Sequence, residues 1–111
     1  MEKQLGKISS VKFGLGGYQG AMIGIHLQFS MNGSGVGTSK CAWDANLIEH
    51  SDNCKWTEDD RDKQYAEIMR YVSDLLSQAK VDCVTKLVGI PVEITFESLK
   101  LKDFRILTEV L

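Results

Sequence analysis

The sequence predicts an α+β domain in which an antiparallel sheet of about five strands packs on one long amphipathic helix. Two observations carry this prediction. Apolar residues alternate at a period of two before residue 44 and after residue 90, whereas apolar residues between 58 and 79 recur at helical spacing. The predicted order is therefore β-β-β-α-(α)-β-β. With 111 residues the chain can form one modest core, so we expect a single domain spanning residues 1–111.

The first 43 residues predict a three-stranded antiparallel meander. One alternating segment covers residues 8–15, and after a glycine-rich connection over residues 14–20 a clearer one covers residues 23–31. The expected inward residues of these two strands are Val11, Phe13, Leu15, Ile23, Ile25, Leu27, Phe29 and Met31. Asn32-Gly33 is a preferred pair for a two-residue hairpin whose central residues both need positive φ, so a third strand is expected from Gly35 to about Trp43.

A long polar loop and then a helix follow. Residues 44–55 carry no period, which is typical of a loop that is either functional or mobile. Thr57 is a good N-cap and is followed by three acidic residues, where the helix dipole favours them. The helix should run from about Glu58 to Ala79. Its apolar stripe comprises Tyr65, Ile68, Met69, Val72, Leu75, Leu76 and Ala79. Residues 82–88 could add a short second helix, ended by Gly89.

Two further strands complete the predicted sheet. Pro91 sets the start of the first, in which Val92, Ile94 and Phe96 alternate with polar residues. A connection over residues 98–102 leads to the last strand. In that strand the residues Phe104, Ile106, Thr108 and Val110 are expected to face away from Arg105, Leu107 and Glu109.

The composition limits the classes of function. Thirteen Lys plus Arg against fifteen Asp plus Glu give a net charge of −2, which argues against binding to duplex nucleic acid but leaves room for a local basic pocket. Three cysteines cannot all pair within one chain, so we expect reduced thiols. We expect no membrane segment, because no stretch approaches ~20 apolar residues. The N-terminus lacks the features of a signal peptide, which predicts a cytoplasmic protein.

Four segments carry a resemblance to known proteins. Gly14-Leu15-Gly16-Gly17-Tyr18, Trp56-Thr57-Glu58-Asp59-Asp60-Arg61, Leu87-Val88-Gly89-Ile90-Pro91-Val92-Glu93 and Arg105-Ile106-Leu107-Thr108-Glu109-Val110-Leu111 resemble a family of small bacteriophage and prophage proteins. The resemblance implies an accessory protein acting in the cytoplasm of the infected bacterial host. Such proteins often oppose host defences, either by inhibiting a defence enzyme or by sequestering a nucleotide second messenger. The resemblance assigns no functional residues.

Enzymatic and metal sites receive little support from spacing. Cys41, His50 and Cys54 could bind zinc, but they lack the closely spaced pairs that zinc sites favour, and free thiols are the simpler interpretation. His26 or His50 could serve as a base, yet nothing in the spacing indicates a nucleophile beside them. Glu93, Glu97 and Glu109 are expected to form a solvated face. We therefore predict a protein without enzymatic activity, metal or cofactor.

Aromatic residues, cations and glycines suggest a ligand site. The glycine-rich turn misses the G-x-G-x-x-G spacing by one residue, so a bulged connection and a contact with a ligand both remain open. Stacking on a base and gripping a phosphate require an aromatic face beside a cation, although indoles more commonly close a core. The predicted ligand-binding residues are Gly16, Gly17, Tyr18, Trp43, Trp56, Arg61, Lys102 and Arg105.

Two functions remain open. The first is an anti-defence protein that binds a nucleotide-derived immune signal, such as a cyclic oligonucleotide or cyclic ADP-ribose, without cleaving it. The alternative is an inhibitor that binds a host defence protein such as a CRISPR effector, with Glu58, Asp59, Asp60 and Asp62 mimicking nucleic acid, although helix capping explains these acids equally well. The free edges of a glycine-rich sheet also predict a homo-oligomer.

Overall fold

Five strands form one antiparallel sheet in a computed structural model that describes residues 1–111. The elements are β1 (Glu2–Gly16), β2 (Met22–Met31), β3 (Ser34–Trp43), α1 (Glu58–Ala79), β4 (Pro91–Glu97) and β5 (Lys100–Ile106). The strand order across the sheet is β3-β2-β1-β4-β5, so the first strand in sequence lies at the centre. This arrangement confirms the predicted α+β class and the predicted element order.

A single helix covers one face of the sheet, here called the inner face, and leaves the outer face bare. The helix packs mainly on β3 and β2 and touches β5. The core between the two layers consists of Ile8, Ile25, Leu27, Phe29, Leu75, Ala79, Leu87, Val92, Ile94 and Ile106. Because β2 supplies three of these residues at alternate positions, the alternation predicted for residues 23–31 is confirmed there. The one α-helix, α1, is too polar to span a lipid bilayer.

The helix begins and ends where the sequence predicts. Thr57 accepts a hydrogen bond from the Asp60 backbone N–H, and the Asp60 carboxylate accepts one from the Thr57 backbone N–H, which forms a capping box. The first backbone N–H groups of a helix have no partner within the helix. The capping box supplies partners for two of them, the N–H groups of Thr57 and Asp60. At the other end Lys80 adopts the left-handed conformation with φ 59° and ends the helix after Ala79.

A β-bulge divides β1 into two halves with different neighbours. The pairing of β1 with β2 shifts register between Ile8 and Ser10, which leaves Ser9 as the extra residue. Before the bulge, residues 2–7 pair with β4 on the opposite side. After it, residues 10–16 pair with β2 alone, so that half of β1 is an edge strand. The bulge also explains how Ile8 and Val11, three positions apart, both pack toward the core.

The structure corrects several local predictions. The first strand begins at Glu2 rather than Ile8, because residues 2–7 are recruited by pairing with β4 despite their polar sequence. The predicted short helix after residue 82 is a single 3₁₀ turn, Val84–Leu87. The last strand ends at Ile106, and Thr108–Val110 form another 3₁₀ turn. In the hairpin between β2 and β3 only Gly33 has a positive φ, of 79°.

Candidate functional site

The glycine-rich connection lies at one end of the outer face of the sheet. Gly16 ends β1, Gly17 adopts a positive φ of 67°, and Tyr18–Gly20 form a 3₁₀ turn that leads into β2. A Cβ placed on Gly16 would lie 3.0 Å from the imidazole of His26, so glycine at this position lets the ring lie flat on the strand. The glycines therefore shape the surface here rather than forming a phosphate loop that opens a helix.

Tyr18 and Trp43 form an aromatic pair at this end of the sheet. Their ring centroids are 6.1 Å apart and the rings meet edge to face. Trp43 pairs with Met22, which in turn pairs with Gly16, so all three lie on the outer face. Tyr18 is 67% exposed. Neither the Tyr18 hydroxyl nor the Trp43 indole N–H has a hydrogen-bond partner within the chain, so both can bond to a ligand.

His26 lies further along the same face and is held by two hydrogen bonds. Its Nε2 is 3.2 Å from the carbonyl oxygen of Gly14, and its Nδ1 is 2.8 Å from the hydroxyl of Ser39. Because a carbonyl only accepts, the neutral form of the imidazole carries its proton on Nε2 and accepts the hydroxyl of Ser39 at Nδ1. Both ring nitrogens are thus engaged, which leaves the imidazole as a flat surface facing the solvent.

The outer face of β1, β2 and β3 carries positive charge without any carboxylate. Glu2 is the one acidic residue in these three strands, and it pairs with Phe96, whose side chain packs against the core on the inner face. Lys12 pairs with His26 and Lys7 with Ser30, which places both lysines on the outer face. Neither lysine has a carboxylate within ion-pairing distance. We call Lys12, Gly16, Tyr18, His26 and Trp43 the outer-face cluster.

Two of the predicted residues, Trp56 and Arg61, serve a different purpose. The Arg61 side chain is 2% exposed and lies over the Trp56 ring, with its guanidinium carbon 4.5 Å from the ring centroid. Its Nη1 donates to the carbonyl oxygen of Ile48 at 2.9 Å, and its Nη2 pairs with Glu58 at 2.8 Å. These contacts hold the long loop against the start of α1, so Arg61 faces the protein rather than a ligand.

The other two predicted cations, Lys102 and Arg105, lie on β5 at the far edge of the sheet. β5 is separated from β3 by three strands, which is about 19 Å at the usual strand spacing. Arg105 donates to both carboxylate oxygens of Glu109 and to Glu93, each at 3.1 Å. The hydrogen bonds to Glu109 and then to Glu93 raise the pKa of Arg105, and the same guanidinium lowers the pKa of Glu109. Lys102 pairs with Glu97 at 3.5 Å.

The eight predicted residues therefore form three separate groups. The structure brings together four of them, Gly16, Gly17, Tyr18 and Trp43, and places the other four elsewhere. Two neighbours of this group, Lys12 and His26, are absent from the predicted ligand-binding residues, and His26 was considered only as a base. Their position in the predicted alternation was a usable signal, because Lys12 and His26 fall on the outward positions of adjacent antiparallel strands.

A cavity of about 340 Å³ opens on the inner face, between the start of the loop and the first half of α1. Its lining consists of Phe13, Ile23, Gly24, Asp44, Ala45, Asn46, Tyr65, Ile68 and Met69. The Tyr65 hydroxyl donates to the carbonyl oxygen of Trp43 and accepts from the Ala45 N–H, which fixes this wall. Met69 belongs to the predicted apolar stripe but is 61% exposed at the cavity mouth. The cavity has one carboxylate and no cation, so it does not suit a phosphate.

The two cysteines and the histidine considered for zinc do not form one cluster. Cys41 is on the outer face of β3 beside Met22, and its partial burial raises the pKa of its thiol. Cys54 is in the loop, where hydrogen bonds from the hydroxyl and the backbone N–H of Ser51 lower the pKa of its thiol. His50 bonds through Nε2 to the carbonyl oxygen of Trp56. No group of three or more His, Cys, Asp or Glu side chains converges in the structure.

Comparison of the chain with protein-family models, curated proteins and solved structures gives no match. The resemblance to phage proteins therefore stays a prediction.

Proposed function

We propose that this chain is a phage anti-defence protein, without enzymatic activity, that binds and sequesters a nucleotide-derived immune signal in the cytoplasm of the infected host. The observation that carries the proposal is the position of the pair formed by exposed Tyr18 and half-buried Trp43, beside the carboxylate-free outer face of β1, β2 and β3 that bears Lys12. Aromatic faces stack on any nucleobase, and unpaired lysines attract the phosphates that join the bases. A nucleotide carries both a base and a phosphate, so a surface with both features suits this class of ligand.

The spacing within the outer-face cluster favours a ligand with more than one nucleoside unit. His26 lies four residues along β2 from Met22, the neighbour of Trp43, which is about 13 Å at the usual rise of a strand. The Lys12 side chain leans toward this end of the sheet, with its Cε 3.8 Å from the position of a Cβ on Gly14, so a ligand that stacks on Trp43 and also reaches the Lys12 ammonium spans less than this backbone distance. A cyclic oligonucleotide is long enough, and cyclic ADP-ribose is the smaller member of the proposed class.

Binding without cleavage agrees with the bonding of His26. Catalytic hydrolysis needs a group that can take a proton from water. The imidazole of His26 is the ring in the cluster that a hydrolytic site would use as a base, and both of its nitrogens are already engaged by Ser39 and Gly14. The ring is therefore suited to stacking, and we expect the ligand to be released from the protein without having been cleaved.

The test is recovery of ligand from the folded protein. Purified protein is incubated with a panel of cyclic oligonucleotides and cyclic ADP-ribose isomers, washed, denatured by heat, and the released molecules are identified by mass. We expect one panel member to be recovered intact and to raise the melting temperature. Tyr18→Ala and Trp43→Ala should each weaken its binding by about 1–3 kcal/mol, as for the loss of one base stack.

Two lysine variants, one in the outer-face cluster and one far from it, provide a test with a matched control. Lys12→Gln should weaken binding and reduce its dependence on salt, whereas Lys100→Gln, an equally simple charge removal on the distant β5, should leave binding unchanged. If no panel member binds, or if both lysine variants behave alike, the outer-face cluster is not a nucleotide site.

The alternative function, inhibition of a host defence protein, is supported by the inner-face cavity. Its apolar lining and the exposed Met69 at its mouth suit an apolar side chain of a partner protein. The acidic run at the start of α1 supports mimicry of nucleic acid less well, because Asp60 is bonded in the capping box and Glu58 pairs with Arg61. Co-purification of a host protein that Met69→Glu abolishes and Tyr18→Ala spares would favour this alternative.

A further inference from the structure

Although β1 is the central strand of the sheet, its second half has a partner on one side only. The other edge of this half makes no backbone hydrogen bonds. Ile8 directs its N–H and C=O away from β2, to Ile90 and Gly89. After the bulge at Ser9, backbone groups again alternate between the two edges of the strand. The N–H and C=O groups of Val11, Phe13 and Leu15 therefore point away from β2, to the same side as those of Ile8. No strand, loop or side chain of this chain bonds to them there.

The side chains beside this edge are apolar, and two of the three are exposed, whereas Val11 is half-buried against the core. Val11, Phe13 and Leu15 lie on the inner face, and Phe13 is 46% and Leu15 39% exposed. The helix packs mainly over β3 and β2 and faces Phe13 only across the open cavity, so it leaves Phe13 and Leu15 partly uncovered. An edge with open hydrogen-bonding groups and an apolar face is the arrangement that pairs with another strand.

The other two edges of the sheet are protected in ways that the β1 edge is not. On β3, Lys40 points inward and pairs with Glu67 of α1, and an inward charge discourages the addition of a strand. On β5, a register shift lies opposite Thr95 and Phe96, and several charged side chains line the strand. The bare edge of β1 has no proline and no inward charge.

We propose that this edge of β1 pairs antiparallel with the same edge of a second copy of the chain, about a two-fold axis at Phe13. The register places Phe13 opposite Phe13 of the partner and Val11 opposite Leu15, and it forms about six backbone hydrogen bonds. On the outer face Lys12 meets Gly14, so no like charges oppose each other. A register centred one residue earlier would bring the two Lys12 side chains together, which disfavours it.

The resulting dimer has a continuous ten-stranded sheet with both helices on the same side. The two outer-face clusters become parts of one surface, and Lys12 of each copy reaches toward the cluster of the other. This pairing does not require a ligand, so it can hold or fail independently of the proposed function.

The first test is the mass of the protein in solution. Light scattering coupled to gel filtration, at concentrations of 10–200 μM, should give the mass of two 12.4 kDa chains. Phe13→Lys places a charge on the inner side of the edge and should give a monomer. Leu99→Lys, which replaces an apolar residue that is 93% exposed on the distant β4–β5 turn, is the matched control and should remain a dimer. A monomeric native protein, or a Phe13→Lys protein that still dimerises, overturns the proposal.

The second test fixes the register and does not depend on a destabilising charge. In a chain whose three native cysteines are replaced by serine, Phe13→Cys should form a disulfide-linked dimer under mild oxidation, because directly opposed residues in this register have Cα atoms about 5.5 Å apart. Leu99→Cys in the same background should not. Failure of Phe13→Cys to cross-link faster than Leu99→Cys also overturns the proposal.

Discussion

Replacing Arg61 with methionine should detach the long loop from the helix. Methionine keeps most of the apolar volume of the side chain but removes the guanidinium, which donates to the carbonyl oxygen of Ile48, pairs with Glu58 and lies on the Trp56 ring. The hydrogen bond to Ile48 is charge-assisted and buried, worth about 2 kcal/mol. The cation–π contact adds about 1 kcal/mol, and the pair with the exposed Glu58 about 0.5 kcal/mol.

One group in the native protein offsets part of this stabilisation. The Nε of Arg61 is buried without a hydrogen-bond partner, which costs about 1 kcal/mol. The net loss in Arg61→Met is therefore about 2–3 kcal/mol, or a fall of about 8–12 °C in melting temperature for a chain of this size. Circular dichroism melts measure it, and Glu58→Gln, which removes only the ion pair, should lower the melting temperature by less than about 4 °C.

Amide hydrogen exchange locates the effect. The amide of Ala45, which bonds to the Tyr65 hydroxyl, should exchange faster in Arg61→Met, whereas the amides of β2 should change little under conditions that keep the protein folded. A fall of less than about 2 °C in melting temperature, with unchanged exchange in the loop, would refute the view that Arg61 anchors it.

Three further predictions follow from local geometry and from shifted pKa values. Leu99 has a positive φ of 68° and is exposed, so Leu99→Gly should stabilise the protein by about 1 kcal/mol in urea unfolding. Thr57 accepts the N-terminal cap bond of α1, so Thr57→Ala should cost about 1 kcal/mol, measured the same way. Burial, with a contribution from Asp103, raises the pKa of Tyr71 to about 12, so Tyr71 should stay protonated at pH 11 in absorbance titrations while the folded protein loses stability between pH 10 and 12 relative to Tyr71→Phe.

The sequence predicts the fold better where one face of an element is buried and the other is not. The alternation in β2 and the 3,4 spacing in α1 depend on that contrast, and both elements lie where they were predicted. Residues 2–7 escaped prediction because their place in the sheet comes from pairing with β4, whose residues lie 84 to 94 positions later, and a local pattern does not encode such a pairing. The last strand was predicted too long because Glu109 turns back to bind Arg105.

For the candidate site, residue type proved a weaker guide than position. Arg61 was predicted to grip a ligand because it is a cation near two indoles. Its spacing to Tyr65 and Ile68 places it on the apolar stripe of α1, a signal that it is buried among them. Whether a cation is already neutralised, as Arg105 is by Glu93 and Glu109, depends on contacts between elements that no local pattern records.

The extra residue at Ser9 has a consequence for deletions. Removing Ser9 would restore an uninterrupted alternation from Ile8 to Leu15 and leave every side chain on its present face, so the division into apolar and polar faces does not need this residue. The deletion would instead change the direction of β1 after Ile8, because a bulge bends its strand and increases the twist of the strand. A chain without Ser9 should keep its core, with the second half of β1 less bent and less twisted relative to the first half.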